Sequence, residues 1–295
     1  MTDLGYPFQG DIYWELETTY KGGFSGTQNR ISDAVQDVRI DTGDINQELQ
    51  SISEPTIIDF SKTMVDPTLH IEWILQPTEV SLVTYCANRT TDCDLESIAF
   101  EVVTNDCRST TSYYYLKGCK CKTLTISATQ GENYKVTADF SVATVIVSDS
   151  ASGTSPAAIG TDYAAFNIGG SITWSGVTGA YVTQSMSVTV DNDLKDLYDV
   201  GSTSKKAAIP GAKKVTGTCD ISLDGGGGTH FNEVIAGTDI TSLVFNTGIG
   251  SSNDGKITLE HGRFDNTSID VNISGDAMMT SVPFTFKDIS FSAGT

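Results

Sequence analysis

Two stretches of this chain alternate apolar and polar residues with a period of two, and they stay in step with each other. In the first, Leu124, Ile126 and Ala128 alternate with Thr123, Thr125 and Ser127. After a polar turn at Gln130–Gly131–Glu132, Tyr134, Val136, Ala138, Phe140 and Val142 alternate with Lys135, Thr137, Asp139 and Ser141. In the second, Ile269, Val271 and Ile273 alternate with Ser268, Asp270 and Asn272. The turn is Ser274–Gly275–Asp276, and Val282, Phe284 and Phe286 follow with polar neighbours. Alternation of this length means paired strands with one buried face. An offset of 144 sets Glu132 on Asp276, Phe140 on Phe284, Val142 on Phe286 and Val147 on Phe291 without a gap. An internal repeat has to be settled before any other feature of a fold. The expectation is therefore mainly β: two tandem β-sandwich or barrel units, each with a short flanking helix and a long hairpin.

The rest of the chain repeats in the same order. Val38–Ser53 reads as a strand and a short helix, with Asp44 as N-cap and Ile45, Leu49 and Ile52 on one face. Thr56–Phe60 and Leu69–Leu75 read as strands. Asp94–Val102 reads as an amphipathic helix with Leu95, Ile98, Ala99 and Val102 inward. In the second half, Ser171–Trp174, Ser185–Val190 and Val215–Leu223 read as strands. SVTVDNDLKDLYDVG reads as strand, acidic turn and helix, and Thr229–Ala236 as a helix. Leu243–Asn246 and Lys256–Glu260 read as strands around a turn at Asn253–Asp254–Gly255. Small residues from Ser148 to Gly160 mark a linker. The boundaries are an N-terminal arm or loop, with a short strand at Asp11–Glu17, over residues 1–36, a unit over 37–150, a linker over 151–165 and a unit over 166–295.

A length of 295 residues is enough for two ordinary cores. No apolar run approaches the length that crosses a bilayer, so membrane insertion is not expected. MTDLGYPFQGDIYWE has no basic stretch followed by an apolar one, so no secretory signal is expected. The formal charge of −19 repels nucleic acid phosphates. Cys86, Cys93, Cys107, Cys119 and Cys121 cluster in the first half without a paired zinc spacing. Disulfides among them and reduced thiols both remain open. Cys219 alternates with Ile221 and Leu223 and reads as a core residue.

Catalytic patterns are missing. His70, His230 and His261 have no cysteine or second histidine at ligand spacing, and no G-x-S-x-G elbow exists. Gly225–Gly228 is not followed by the Lys of a phosphate-binding loop. Asp191–Asn192–Asp193 fits helix capping better than a calcium loop. The sequence points to no enzyme, no cofactor and no metal, and shifts weight to an assembly protein.

Three stretches carry a resemblance: SMSVTVDNDLKDLYDVG with SKKAAIPGAKKVTGTCDISLD after it, GCKCKTLTISATQGENYKVTADF, and ELETTYKGGFSGTQ. In these the chain resembles the major tail tube proteins of long-tailed, siphovirus-like bacterial or archaeal viruses. The cysteine cluster and the long loops depart from that pattern. The resemblance implies a structural virion protein, assembled in the host cytoplasm, that polymerises into stacked rings forming the tail tube. Its implied partners are copies of itself, a tape measure protein, a tail terminator and distal tail or baseplate proteins. Double-stranded DNA passes through without specific binding, and Asp139 and Asp270 are candidate lumen-facing acids. Single-unit tubes of this kind close as rings of six, so two units per chain imply trimeric, pseudo-hexameric rings, with hexameric rings as the alternative. A competing reading is a β-sandwich adhesion or receptor-binding module, for which Tyr113–Tyr114–Tyr115 would be an aromatic patch.

Overall fold

The computed structural model describes residues 9–31, 35–43, 46–50, 57–62, 65–76, 79–91, 94–105, 111–129, 131–153, 172–177, 182–200, 202–222, 227–246, 256–265 and 279–292. In chain order the first part holds β1 (Gln9–Leu16), β2 (Asn29–Arg30), β3 (Val35–Asp41), β4 (Asn46–Gln50), β5 (Ile57–Lys62) and β6 (Thr68–Ile74). It continues with α1 (Val80–Ala87), β7 (Arg89–Thr91), β8 (Asp94–Leu95), β9 (Ile98–Asn105), β10 (Thr111–Thr129), β11 (Lys135–Ser141) and β12 (Thr144–Ser148). The second part holds β13 (Ile172–Ser175), β14 (Val182–Asp191), β15 (Leu194–Tyr198), β16 (Lys205–Pro210), β17 (Lys214–Ser222), α2 (Gly227–Ala236), β18 (Asp239–Asn246), β19 (Lys256–Phe264) and β20 (Met279–Ser292). The protein is mainly β, as the alternation requires. Among the described residues no helix is long and apolar enough to cross a membrane.

The long strand β10 is the hinge of the first half. Its first part, Thr111–Leu116 with Cys119, pairs with β9; its second part, Lys120–Ser127, pairs with β11. Register shifts at Leu116/Cys119 and Cys121/Thr123 bend it from one sheet into the other. The first sheet runs β2-β1-β9-β10-β12 and the second β3-β6-β11-β10. Between them Phe100 from β9 meets Phe140 from β11 edge-on at 4.9 Å, with Trp14, Trp73 and Leu124 buried around the pair.

The pairing order of the first half is β1-β9-β10-β11-β6-β3, and that of the second is β13-β18-β19-β20-β17-β14. The two orders match element for element. Each half also carries a separate two-stranded hairpin, β4–β5 between β3 and β6 or β15–β16 between β14 and β17. Antiparallel pairing of β10 with β14, from Thr123↔Asp191 to Thr129↔Ser185, makes one continuous sheet through both halves.

Several expected helices are strands. Ile45–Ile52 was expected to be helical after an Asp44 cap, but Asn46–Gln50 is β4, paired with β5. Asp94–Val102 is β8 and the start of β9. Ile98, Ala99, Phe100 and Glu101 are all buried there. A strand covered on both faces loses its alternation, and its apolar run then satisfies helical spacing as well. The helix expected after Asp191–Asn192–Asp193 is β15, where Leu194 and Leu197 stand three apart as on a helix face but alternate in burial, Leu194 half-buried and Leu197 exposed. The helix of the first half is instead α1, where Val80, Val83 and Thr84 gave no helical signal. Burial of Leu82, Val83, Cys86 and Ala87 against β10 and β20 holds it. The helix expected at Thr229–Ala236 is present as α2. The strand expected over Ser268–Ile273 with its turn, the Asn253–Gly255 turn and most of the linker lie outside the described residues.

Candidate assembly surface

The face of the continuous sheet turned away from the core is lined by short polar side chains. Along one row, Glu72, Thr137, Thr125, Thr189, Thr216 and Thr285 are neighbours on successive strands. Alternation dictates this: the intervening residues Val136, Ala138, Leu124, Ile126, Val188 and Val215 are buried. Thr125 and Thr189 share a hydrogen bond of 3.0 Å across the junction of the halves. From β3 to β17 the charges on this face lean acidic, with Asp37, Asp41, Glu72, Asp139, Asp191 and Asp220 against Arg39, Lys135 and Lys214; beyond Thr285 the face carries Arg263, ion-paired with Asp239.

Asp139 lies in this face, half exposed, where it accepts from Thr123 Oγ1 (2.8 Å) and sits 2.7 Å from His70 Nδ1. Asp270 and His230 fall where no side chain is described. His261 is exposed on β19. Tyr113, Tyr114 and Tyr115 are strand residues, and Tyr115 is buried against Phe24, with ring centroids 4.8 Å apart. Cys86, Cys119, Cys121 and Cys219 are buried thiols, and burial pushes the thiols of Cys119, Cys121 and Cys219 up. Cys93 and Cys107 lie outside the described residues.

Where the halves meet, two polar side chains act as bolts. Asn192, fully buried, donates from Nδ2 to Cys86 O (2.9 Å) and Cys121 O (3.1 Å), and its own N–H reaches Lys122 O at 2.9 Å. The second half thereby clasps both α1 and β10 of the first. Lys205, from β16, is also fully buried. Its ammonium lies 2.7 Å from Asp66 and 2.9 Å from Asp196, and it donates to Ser141 Oγ. Ser141 Oγ donates in turn to Asp196 at 2.9 Å. A buried charge is tolerable only when paired in this way. Arg89 donates to Gly211 O and Lys21 to Lys205 O, so hairpin β15–β16 lies across the first half.

The segment after β1 completes the site. Glu17, almost wholly buried, accepts from the N–H groups of Gly23 (2.9 Å), Lys21 (3.1 Å) and Gly118 (3.1 Å). Gly118 sits at the bend of β10 with φ +64°, and a Cβ there would come within 2.8 Å of Ala143. Sequence reasoning missed Glu17, Asn192 and Lys205, because each finds its partner through tertiary structure. The available signal was Lys205 itself, a cation in a chain with 18 basic and 37 acidic residues.

The packing around Lys205 also governs alkaline behaviour. Tyr198 is pushed up to about 12, first by burial and then by the charges of Asp66 and Asp196. Burial raises Tyr20 and Tyr134 further. A phenol with a raised folded pKa contributes stability that is fully present below its ordinary value of 10.0 and lost as pH rises through about 12. Unfolding is therefore expected in that window, with phenolate absorbance rising in step with loss of circular dichroism. Full phenol titration near pH 10 with the fold intact would contradict this packing.

A family model described as phage tail tube protein matches residues 17–287 of the chain. That span takes in Glu17, Asn192, Lys205 and the junction of β10 with β14, and leaves out β1 and the last residues of β20. Among curated proteins none matches.

Proposed function

Because the chain belongs to the phage tail tube proteins, we propose that its continuous sheet is a segment of the wall of a conduit for viral DNA. Family membership makes the chain a structural component of the virion tail that assembles with copies of itself into a tube. The observation that carries the further step is the hydroxyl- and acid-lined face running unbroken across β10 and β14. Phosphates sliding past threonines and carboxylates meet few cations to hold them. Asp139 is the described member of the two expected lumen acids.

Three chains make a ring of six quasi-equivalent units. Each chain supplies one unit from residues 37–150, with β1 from the arm of residues 1–36, and another from 166–295, joined by the linker 151–165. The matched pairing orders of the halves support this. The ring then carries a formal charge of 3 × −19 = −57, which counterions and fixed contacts offset. Stacked rings form the tube of a long-tailed, siphovirus-like virus, built in the host cytoplasm between tape measure, terminator and distal tail proteins. Averaged electron micrographs of tubes grown from pure protein test this. Three chains around a channel of negative potential are expected. Six chains with one half of each at the channel, or a neutral or positive channel, would overturn it.

A further inference from the structure

The two halves share an order of elements but differ in what covers them. The correspondence is fixed residue by residue. Ile12 and Trp14 in β1 match Ile172 and Trp174 in β13, and Trp14 faces Phe100 as Trp174 faces Leu243. Phe100 pairs with Leu116, and Leu243 with Leu259. Two residues later Gly118 and His261 both have positive φ, +64° and +55°. Lys120 pairs with Ser141 as Arg263 pairs with Thr285. After β3 Gly43 N–H bonds Asp41 Oδ1 at 2.9 Å, and after β14 Asp193 N–H bonds Asp191 Oδ1 at 2.9 Å. Gly43 and Asp193 are again both at positive φ.

Three counterparts then stand in different surroundings. Ser141 is covered by Lys205 and Asp196 of hairpin β15–β16. Its counterpart Thr285 lines an open cavity of about 640 Å³ with Asp239, His261, Arg263, Asp265 and Lys287. Asn192 is fully buried at the junction, whereas its counterpart Thr42 is exposed. Aligned on their last residues, Ala87 and Ala236, the helices place fully buried Cys86 opposite Ile235, which is 70% exposed. One edge completes the set: β14 pairs with β10 on its outer side, while β3 pairs only with β6 among the described residues.

We propose that the cavity at Arg263 and Thr285, together with the exposed end of α2, is the seat for hairpin β4–β5 of a second copy of this chain. The contact repeats between chains the one that β15–β16 makes within a chain, and it rests on the reading that the protein assembles with itself. A single head-to-tail contact of this kind propagates until a ring closes. Charge does not oppose the occupant. The stretch Asp41–Lys62 carries Asp41, Asp44, Glu48, Glu54 and Asp59 against Lys62, while the cavity sets Arg263 and Lys287 against Asp239 and Asp265, with Arg263 paired to Asp239 and His261 and Lys287 exposed.

The test uses the template. Asp196 touches Ser141, so its counterpart Asn46 approaches Thr285 of the neighbouring chain. Full-length Asn46→Cys and Thr285→Cys proteins are mixed and treated with a short bismaleimide, with the parent protein as background. A covalent heterodimer in the mixture, absent from each variant alone, is expected whether or not tubes grow. Tubes in micrographs without that heterodimer overturn the seat and leave the tube reading standing. Neither tubes nor heterodimer overturns both.

Discussion

Phe284→Asp is expected to leave the chain unable to fold cooperatively. Phe284 is fully buried, edge-on to Phe286 at 5.3 Å and to Trp174 at 6.4 Å. Removing the ring alone costs about 3–5 kcal/mol. A carboxylate in its place has no cation within this apolar cluster and adds the cost of an unpaired buried charge, several kcal/mol more. The sum approaches the whole stability of an ordinary domain, about 5–15 kcal/mol. Phe140→Asp should do the same in the first half, where the ring bridges two sheets through Phe100. Circular dichroism and urea unfolding decide the matter. A soluble Phe284→Asp protein with a sharp transition would mean that the buried face is assigned wrongly.

Lys205→Ala is expected to lower stability by about 3–5 kcal/mol, because it strands Asp196 beside Ser141 without its ammonium. Lys206→Ala supplies the comparison one residue away. Lys206 pairs with Asp199 at 2.7 Å, but both side chains are more than half exposed. Such a pair contributes about 0.2–1 kcal/mol. The contrast separates a bolt from a surface ion pair of the same length. Urea midpoints measured side by side check it. If the two variants differed by less than about 1 kcal/mol, Lys205 would not hold the halves together.

Alternation gave away the strands of the two hairpins because each has one wet and one dry face. The same rule failed at β9, where Ile98, Ala99, Phe100 and Glu101 are all covered. It failed at β4 and β15 because Ile45, Leu49 and Ile52, and Leu194 and Leu197, recur at the three- and four-residue spacing of a helix. Helix α1 was invisible for the opposite reason: its sequence favours strand, and packing between β10 and β20 overrides that preference.

The sequence by itself determined which face of each long strand is apolar, that Asp139 stands on the polar one, and that the pattern occurs twice at an offset of 144 from Phe140 to Phe284. Side-chain order along a strand is local, so spacing alone carries it. Only the tertiary structure decided that β10 of one half pairs with β14 of the other, and that Asn192 and Lys205 are buried there. Those contacts join residues far apart in the chain: Lys205 with Ser141 across 64 positions, Asn192 with Cys86 across 106 and Lys205 with Asp66 across 139. Nothing in the local pattern of a lysine or an asparagine shows whether a partner waits at that distance, because burial is a property of the assembled surface and not of the segment.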